Sequence, residues 1–364
     1  MLAVLLLLWA GLALYPETRE AFLTAGNFSN LTAQISEIAI IGVGMTMVIL
    51  IRGIDLSVGA GMALAGVVAA KLQIDHQVSA PLACLAVLAV TSLIGLWHGV
   101  LVSRFRIPPF VATLGGFMSY RGLALVLSGA RGMAPMRDDF VVLGGRMPGH
   151  VSLAIVIALG ALGLGYLIMR EVRRKKLGLP RMSLVMLTVA LAAILAGVIF
   201  ALLIYQDGMP VPVLLAILVG LGGALLLSRS RLGRYAVAIG GNSEAARLSG
   251  VPVERVTVLI YLLTGALTGL AGIVATARGN GVTPGNAGMM RELHVITAVV
   301  IGGTSLSGGQ ATMVGTLIGA LIFGTLSNGM NHLGINSDWQ LIFTGIILLF
   351  ASLLDSMSMK KRIS

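Results

Sequence analysis

Gly240-Gly241-Asn242-Ser243-Glu244-Ala245-Ala246-Arg247-Leu248-Ser249-Gly250 is a short polar run between two long apolar ones, residues 211–228 and 256–277. Each neighbour is close to the ~20 residues that an α-helix needs to cross a bilayer. The run contains helix-forming residues and is surrounded by Arg229, Arg231, Arg234, Arg247 and Arg255. A polytopic membrane protein exposes such an element where a partner protein grips it from the cytoplasm. The reading sets the fold class: an all-α integral membrane protein, a polytopic helical bundle with 11–12 hydrophobic segments, two related halves and broken helices.

Composition excludes most other classes. The chain has 364 residues, 57% hydrophobic and 11% charged, with a mean hydropathy of +0.97. Soluble domains carry about 25% charged residues. The 48 glycines suit helices that approach closely. A net charge of +11 could suggest nucleic acid, but the basic residues sit in short loops between apolar runs, as membrane topology requires. No nucleic-acid partner is expected. Cys84 is the only cysteine, so there is no disulfide framework and no cysteine-based metal site. His76, His98, His150 and His294 lack metal-ligand spacing. No GxxxxGK[ST] run and no nucleophile–base arrangement is present, so neither ATP hydrolysis nor any other catalysis is expected of this chain. No cofactor is expected.

Spans are expected near 2–14, 34–51, 57–72, 81–102, 109–128, 151–169, 183–204, 211–228, 256–277, 312–330 and 339–354. Residues 2–14 are short and could be a signal-peptide core. No Lys or Arg precedes them and no clear cleavage pattern follows, so they read as a first helix shortened at its start. The apolar piece at 293–302 covers only about half a bilayer and is expected to be a broken or re-entrant helix. Basic residues in the 103–107, 170–181 and 229–255 loops and in the tail fall on one side if the spans alternate and 293–302 crosses as a half-helix plus irregular backbone. Loops 73–80, 205–210 and 331–338 have no Lys or Arg. The basic side is cytoplasmic, which puts both termini inside. Arg131, Arg137 and Arg146 in loop 129–150 run against that pattern.

Ile51-Arg52-Gly53-Ile54-Asp55-Leu56-Ser57-Val58-Gly59 echoes Ile301-Gly302-Gly303-Thr304-Ser305-Leu306-Ser307-Gly308-Gly309 at a constant offset of 250. Paired interruptions point to a transporter's solute path. Candidate pathway residues are therefore Asp55, Ser57, Thr304, Ser305 and Ser307. Asn328, with Asn331 and His332, is a candidate for the outer mouth. The competing roles are structural: Asp55 as a helix cap neutralised by Arg52, Thr304 or Ser307 as a cap, and the Asn/His group as interfacial solvation. Gly95-x-x-x-Gly99, Gly265-x-x-x-Gly269 and Gly315-x-x-x-Gly319 read as helix-packing grooves. Few charges are expected inside, which favours a neutral solute.

With these pieces in place the chain resembles the permease subunits of sugar ABC importers, in the ribose/xylose group. The resemblance rests on Gly53-Ile54-Asp55-Leu56-Ser57-Val58-Gly59, Pro109-Phe110-Val111-Ala112-Thr113-Leu114-Gly115, Gly240 to Gly250 and Ile301 to Gly309. It implies a single transmembrane domain over 1–364, with 229–255 as the loop coupled to an ATPase. Within that loop Gly241, Asn242, Glu244, Ala245, Ala246 and Arg247 form the docking core. Residues 151–210 would be a two-span insertion relative to ribose-type permeases. That insertion and Asp207-Gly208-Met209-Pro210-Val211-Pro212-Val213-Leu214-Leu215 look xylose-like and favour D-xylose. The implied partners are cytoplasmic ABC ATPase subunits, a periplasmic or extracellular sugar-binding protein, a second permease copy and membrane lipid. The implied place is the bacterial cytoplasmic (inner) membrane. A same-fold permease for branched-chain amino acids and an ion-coupled secondary transporter are the alternatives.

Overall fold

The computed structural model describes residues 1–176, 205 and 208–363. The first half comprises α1 (Leu2–Leu14), α2 (Arg19–Phe22), α3 (Ala25–Leu50), α4 (Val58–Ala70), α5 (Ala80–Ser103), α6 (Pro109–Ser128), α7 (Asp138–Val141) and α8 (Gly149–Lys176). The second comprises α9 (Val211–Arg229), α10 (Arg231–Gly241), α11 (Ser243–Leu248), α12 (Val253–Arg278), α13 (Arg291–Ile301), α14 (Met313–His332) and α15 (Ser337–Ile363). β1 (Arg146–Met147) and β2 (Met209–Pro210) pair antiparallel. Among the described residues, eight helices are long and apolar enough to cross a membrane: α3, α4 with its π-turn extension to Asp75, α5, α6, α8, α9, α12 and α14. The chain is a multi-pass helical membrane protein.

The expected spans fall on helices, except 183–204, which lies outside the described residues. Two boundaries differ for physical reasons. Helix α3 starts at Ala25 rather than near 34, because its polar first turns find partners. Thr24 accepts from the Asn27 amide at 3.2 Å, and Thr32 and Ser36 bond back to carbonyls four residues earlier. Helix α8 runs on to Lys176, so Arg170, Arg173 and Arg174 ride its last turns rather than a loop. Arg and Lys are good helix formers, and cations suit a helix C-terminus.

Helix α3 is the axis of the bundle. It is buried along nearly its whole length and packs against α9, α12, α13 and α14. An apolar helix without a polar face belongs in an interior. Helices α5 and α12 cross at the two small-residue grooves. A Cβ on Gly95 would run into the Tyr261 carbonyl, and one on Gly265 into the Thr91 carbonyl. The packing expected of those glycines is therefore what holds the pair together. Helix α1 packs on α14, where the Trp9 indole donates to Thr325 Oγ1 at 3.0 Å.

Helix α13, 11 residues long, is the expected short piece. At 1.5 Å per residue it covers about 16 Å, roughly half a bilayer core. After it, residues 302–312 turn on themselves: Ser305 N–H donates to the Gln310 carbonyl and Gly308 N–H to that of Ser305. Helix α14 begins only after Thr312, whose Oγ1 accepts from the Gly315 amide at 3.0 Å. The cap is thus Thr312, not Thr304 or Ser307.

Candidate functional site

The two echoed connectors end up side by side. The segment after α3 and the segment after α13 meet at the end of the bundle that carries residues 240–250. Gly309 N–H donates to the Leu50 carbonyl at 2.9 Å. Arg52, in a left-handed turn at φ 64°, sends its guanidinium to the end of α10. Its Nε donates to the Gly240 carbonyl at 2.7 Å and its Nη2 to the Gly241 carbonyl at 2.6 Å. The Gly240 position has no room for a side chain, because a Cβ there would overlap the Leu50 carbonyl and Gly309. A cation on the last carbonyls of a helix satisfies groups that the helix cannot, and it complements the dipole. A cleft of about 500 Å3 opens beside this junction, lined by Arg52, Gly240, Ser307 and Gly309 among others.

Beyond the junction, α11 is a single short helix capped by Asn242, whose Oδ1 accepts from the Ala245 amide at 3.0 Å. Ala246 is its anchor and is buried. Gly241, Asn242, Glu244, Ala245 and Arg247 are exposed, and so is Leu248, at 82%. The Glu244–Arg247 pair expected on one face does share a face. No ion pair joins them among the described residues. Leu248 is thus exposed beside two charges that do not pair with each other.

Asp55 and Ser57 sit deeper, between α3 and α4. Asp55 Oδ1 accepts from the Ser57 amide at 2.9 Å and from the Ser57 hydroxyl at 2.6 Å. This is an Asx-type turn that hands the chain into α4, which starts at Val58. It corrects the expected pairing with Arg52, whose side chain goes instead to Gly240 and Gly241. The Ser57 hydroxyl also lies 3.4 Å from His98 Nδ1, and the Tyr120 hydroxyl lies 3.1 Å from His98 Nε2. With the His98 proton on Nδ1, every member of the chain Tyr120–His98–Ser57–Asp55 has a partner. The space beside them is only about 10 Å3, room for no more than one water.

A second opening with a built polar wall lies toward the opposite end. It is a cavity of about 450 Å3 between α3, α12, α13, α14 and the 279–290 connector. Its charged wall is Glu37 flanked by Arg278 and Arg291. Glu37 is 1% exposed. Arg278 donates to its Oε1 from Nε at 3.2 Å and Nη2 at 2.8 Å, and Arg291 Nη2 stands 3.0 Å from its Oε2. Glu37 lies 13 residues before Leu50 on α3, about 20 Å from the Arg52 junction by helix rise.

Of the sequence candidates, the structure gathers Asp55 with Ser57, and Ser307 with the Arg52–Gly240 junction. Thr304 and Ser305 are buried and Ser307 is exposed. Asn328 exchanges hydrogen bonds with the Asn27 amide at 2.8 and 3.2 Å, and His332 Nε2 lies 3.0 Å from Asn27 Oδ1. These ties join the start of α3 to the end of α14. None of the six pathway candidates lines the 450 Å3 cavity. Glu37 escaped the sequence reading although it lies inside the expected 34–51 span. An acid within an apolar span was the signal that could have found it. With Asp55 and Glu292 it makes three acidic side chains buried among the described residues, and no Lys or Arg is buried there.

Residues 27–352 match the family described as branched-chain amino acid transport system / permease component. The xylose transport system permease protein XylH of Escherichia coli K12 is 37% identical over 351 residues, covering 94% of this chain and 88% of that protein. XylH of Haemophilus influenzae is 36% identical over 351 residues, covering 94% and 92%. The ribose import permease protein RbsC of E. coli K12 is 37% identical over 335 residues, covering 92% and 87%. No solved structure gives a significant match.

Proposed function

We propose, for a chain that belongs to the branched-chain amino acid transport system / permease component family, the role of membrane-spanning subunit in an ATP-driven importer of a monosaccharide. The observation that carries this reading is the identity to xylose and ribose permeases along more than nine-tenths of the chain. Equal identity to both leaves the pentose to other features. The segment 151–210, read as a two-span insertion, favours D-xylose.

In this reading residues 229–255 face the cytoplasm, in a bacterial inner membrane with both termini inside. An ATPase subunit on a separate chain docks on α11 through Gly241, Asn242, Glu244, Ala245 and Arg247, with Ala246 holding the helix to the bundle. A soluble sugar-binding protein delivers solute at the opposite end, and a second copy of the chain completes the pathway. The ATPase's push reaches the membrane through the Arg52 junction. It acts only if docking favours one bundle state over another. Asp55, Ser57, Thr304, Ser305 and Ser307 hold the connectors that move, while Asn328 fastens the far end.

A branched-chain amino acid is the second reading. The family description favours it. Competition decides: D-xylose and D-ribose, not leucine, should block labelled pentose uptake by proteoliposomes carrying the permease, its ATPase and its binding protein.

A further inference from the structure

Glu37 is a carboxylate in the middle of the most buried helix, yet both of its oxygens face guanidinium groups that come from other helices. One arginine ends α12 and the other begins α13, so the carboxylate fixes two helix ends around one space. Glu37 uses only part of each fork. Arg278 spends two of its five N–H donors on it, and Arg291 forms an ion pair with Oε2 at 3.0 Å that is not aligned as a hydrogen bond. Both arginines keep a quarter to a third of their side chains exposed, and both line the 450 Å3 cavity. A buried acid that pairs with two arginines and leaves their remaining donors facing an opening is a preorganised recognition wall.

The rest of the lining completes a chemical match. Gln34, Asn286, Thr283 and Ser327 offer side chains that both donate and accept. Phe323 and Ile38 supply an apolar wall. A solute with hydroxyls around its rim and C–H faces above and below matches these polar and apolar parts of the lining. The cavity volume falls in the ~300–1,000 Å3 range of small-molecule sites. Glu37 neutralises one of the two cations and leaves one net positive charge, whose N–H donors hydroxyl oxygens can meet as acceptors.

We propose that this cavity is a solute-binding station for a neutral polyhydroxylated ring. Arg278 and Arg291 donate to neighbouring hydroxyls, and Glu37 acts as the positioning residue that holds both forks. The inference rests on the transport reading above and adds the residues that contact the solute. It also gives the permease its own selectivity, separate from that of the binding protein.

The test uses the full complex in proteoliposomes with labelled D-xylose and D-ribose. Arg278→Lys and Arg291→Lys keep the charge opposite Glu37 but lose the fork. The ratio of the two uptake rates should shift by about tenfold, the lower end of what one charge-assisted hydrogen bond contributes. An equal fall for both sugars, or no change, would overturn the proposal, because a merely structural ion pair affects all solutes alike. Ser327→Cys on a Cys84→Ala background gives a readout that holds even if the lysine variants fold poorly. A small polar thiol reagent should modify it, and saturating D-xylose should slow the reaction. Modification unaffected by pentose at any concentration contradicts the proposal. Absence of ATP-dependent pentose uptake by the unmodified complex would instead strike the transport reading itself.

Discussion

Arg52 caps the helix that ends at Gly241: its Nε and Nη2 reach the Gly240 and Gly241 carbonyls at 2.7 and 2.6 Å. The same arginine packs where Gly308 comes against Leu50, so one side chain joins both echoed connectors to the segment that opens onto α11. Charge-assisted hydrogen bonds contribute about 1.5–3 kcal/mol each. Arg52→Ala should therefore cut uptake at least ~10-fold while leaving the bundle inserted, 1.4 kcal/mol being a factor of 10. Uptake at wild-type rates with normal protein level would show that the junction transmits nothing.

Glu244→Lys should abolish transport without loss of expression. Glu244 is exposed on a helix with no ion-pair partner among the described residues, and reversal places like charge against a basic site on the ATPase. Co-purification of the ATPase at normal yield, together with normal uptake, contradicts the docking role.

Asp55→Asn should keep more than half of wild-type uptake. Asp55 accepts two hydrogen bonds through Oδ1 alone, and an asparagine oxygen can accept both. Asp55→Ala removes that acceptor and leaves the Ser57 amide buried without it, at a cost of about 1–3 kcal/mol. Thermal unfolding should separate the two variants. Near-complete loss of uptake in a folded Asp55→Asn protein would mean that the charge itself is used.

Cysteines in the 302–309 turn should react unequally. On a Cys84→Ala background, Ser307→Cys should be modified quickly by a polar thiol reagent and Thr304→Cys and Ser305→Cys slowly, following their exposure. Nucleotide trapped on the ATPase should change the Ser307→Cys rate. Equal, nucleotide-independent rates at all three positions would deny the turn any part in coupling.

The span pattern was legible because twenty-residue apolar runs and Gly-x-x-x-Gly grooves are local features of the chain. Gly95 and Gly265 face each other as that spacing implies. The cap on α11 is also local, with Asn242 three residues ahead of Ala245, but the sequence reading placed Asn242 in the docking core and missed the cap. What the sequence hid depends on side-chain direction across long separations. Arg52 lies three residues from Asp55, yet its left-handed turn points it at Gly240 instead. Glu37 meets Arg278 and Arg291 from the far half of the chain, and only packing reveals that three separate charges share one wall. Asn328 reads as an outer-mouth candidate because it is polar near a helix end, and its two hydrogen bonds with Asn27, across a separation of 301 residues, show only in the packed structure.

The central claim is that this permease moves a pentose by another chain's ATP hydrolysis. Labelled D-xylose uptake into proteoliposomes holding permease, ATPase and binding protein tests it most directly. The account predicts uptake that requires ATP on the ATPase side, stops with vanadate and continues in the presence of an uncoupler. Uptake that proceeds without ATP and collapses with the uncoupler would contradict it.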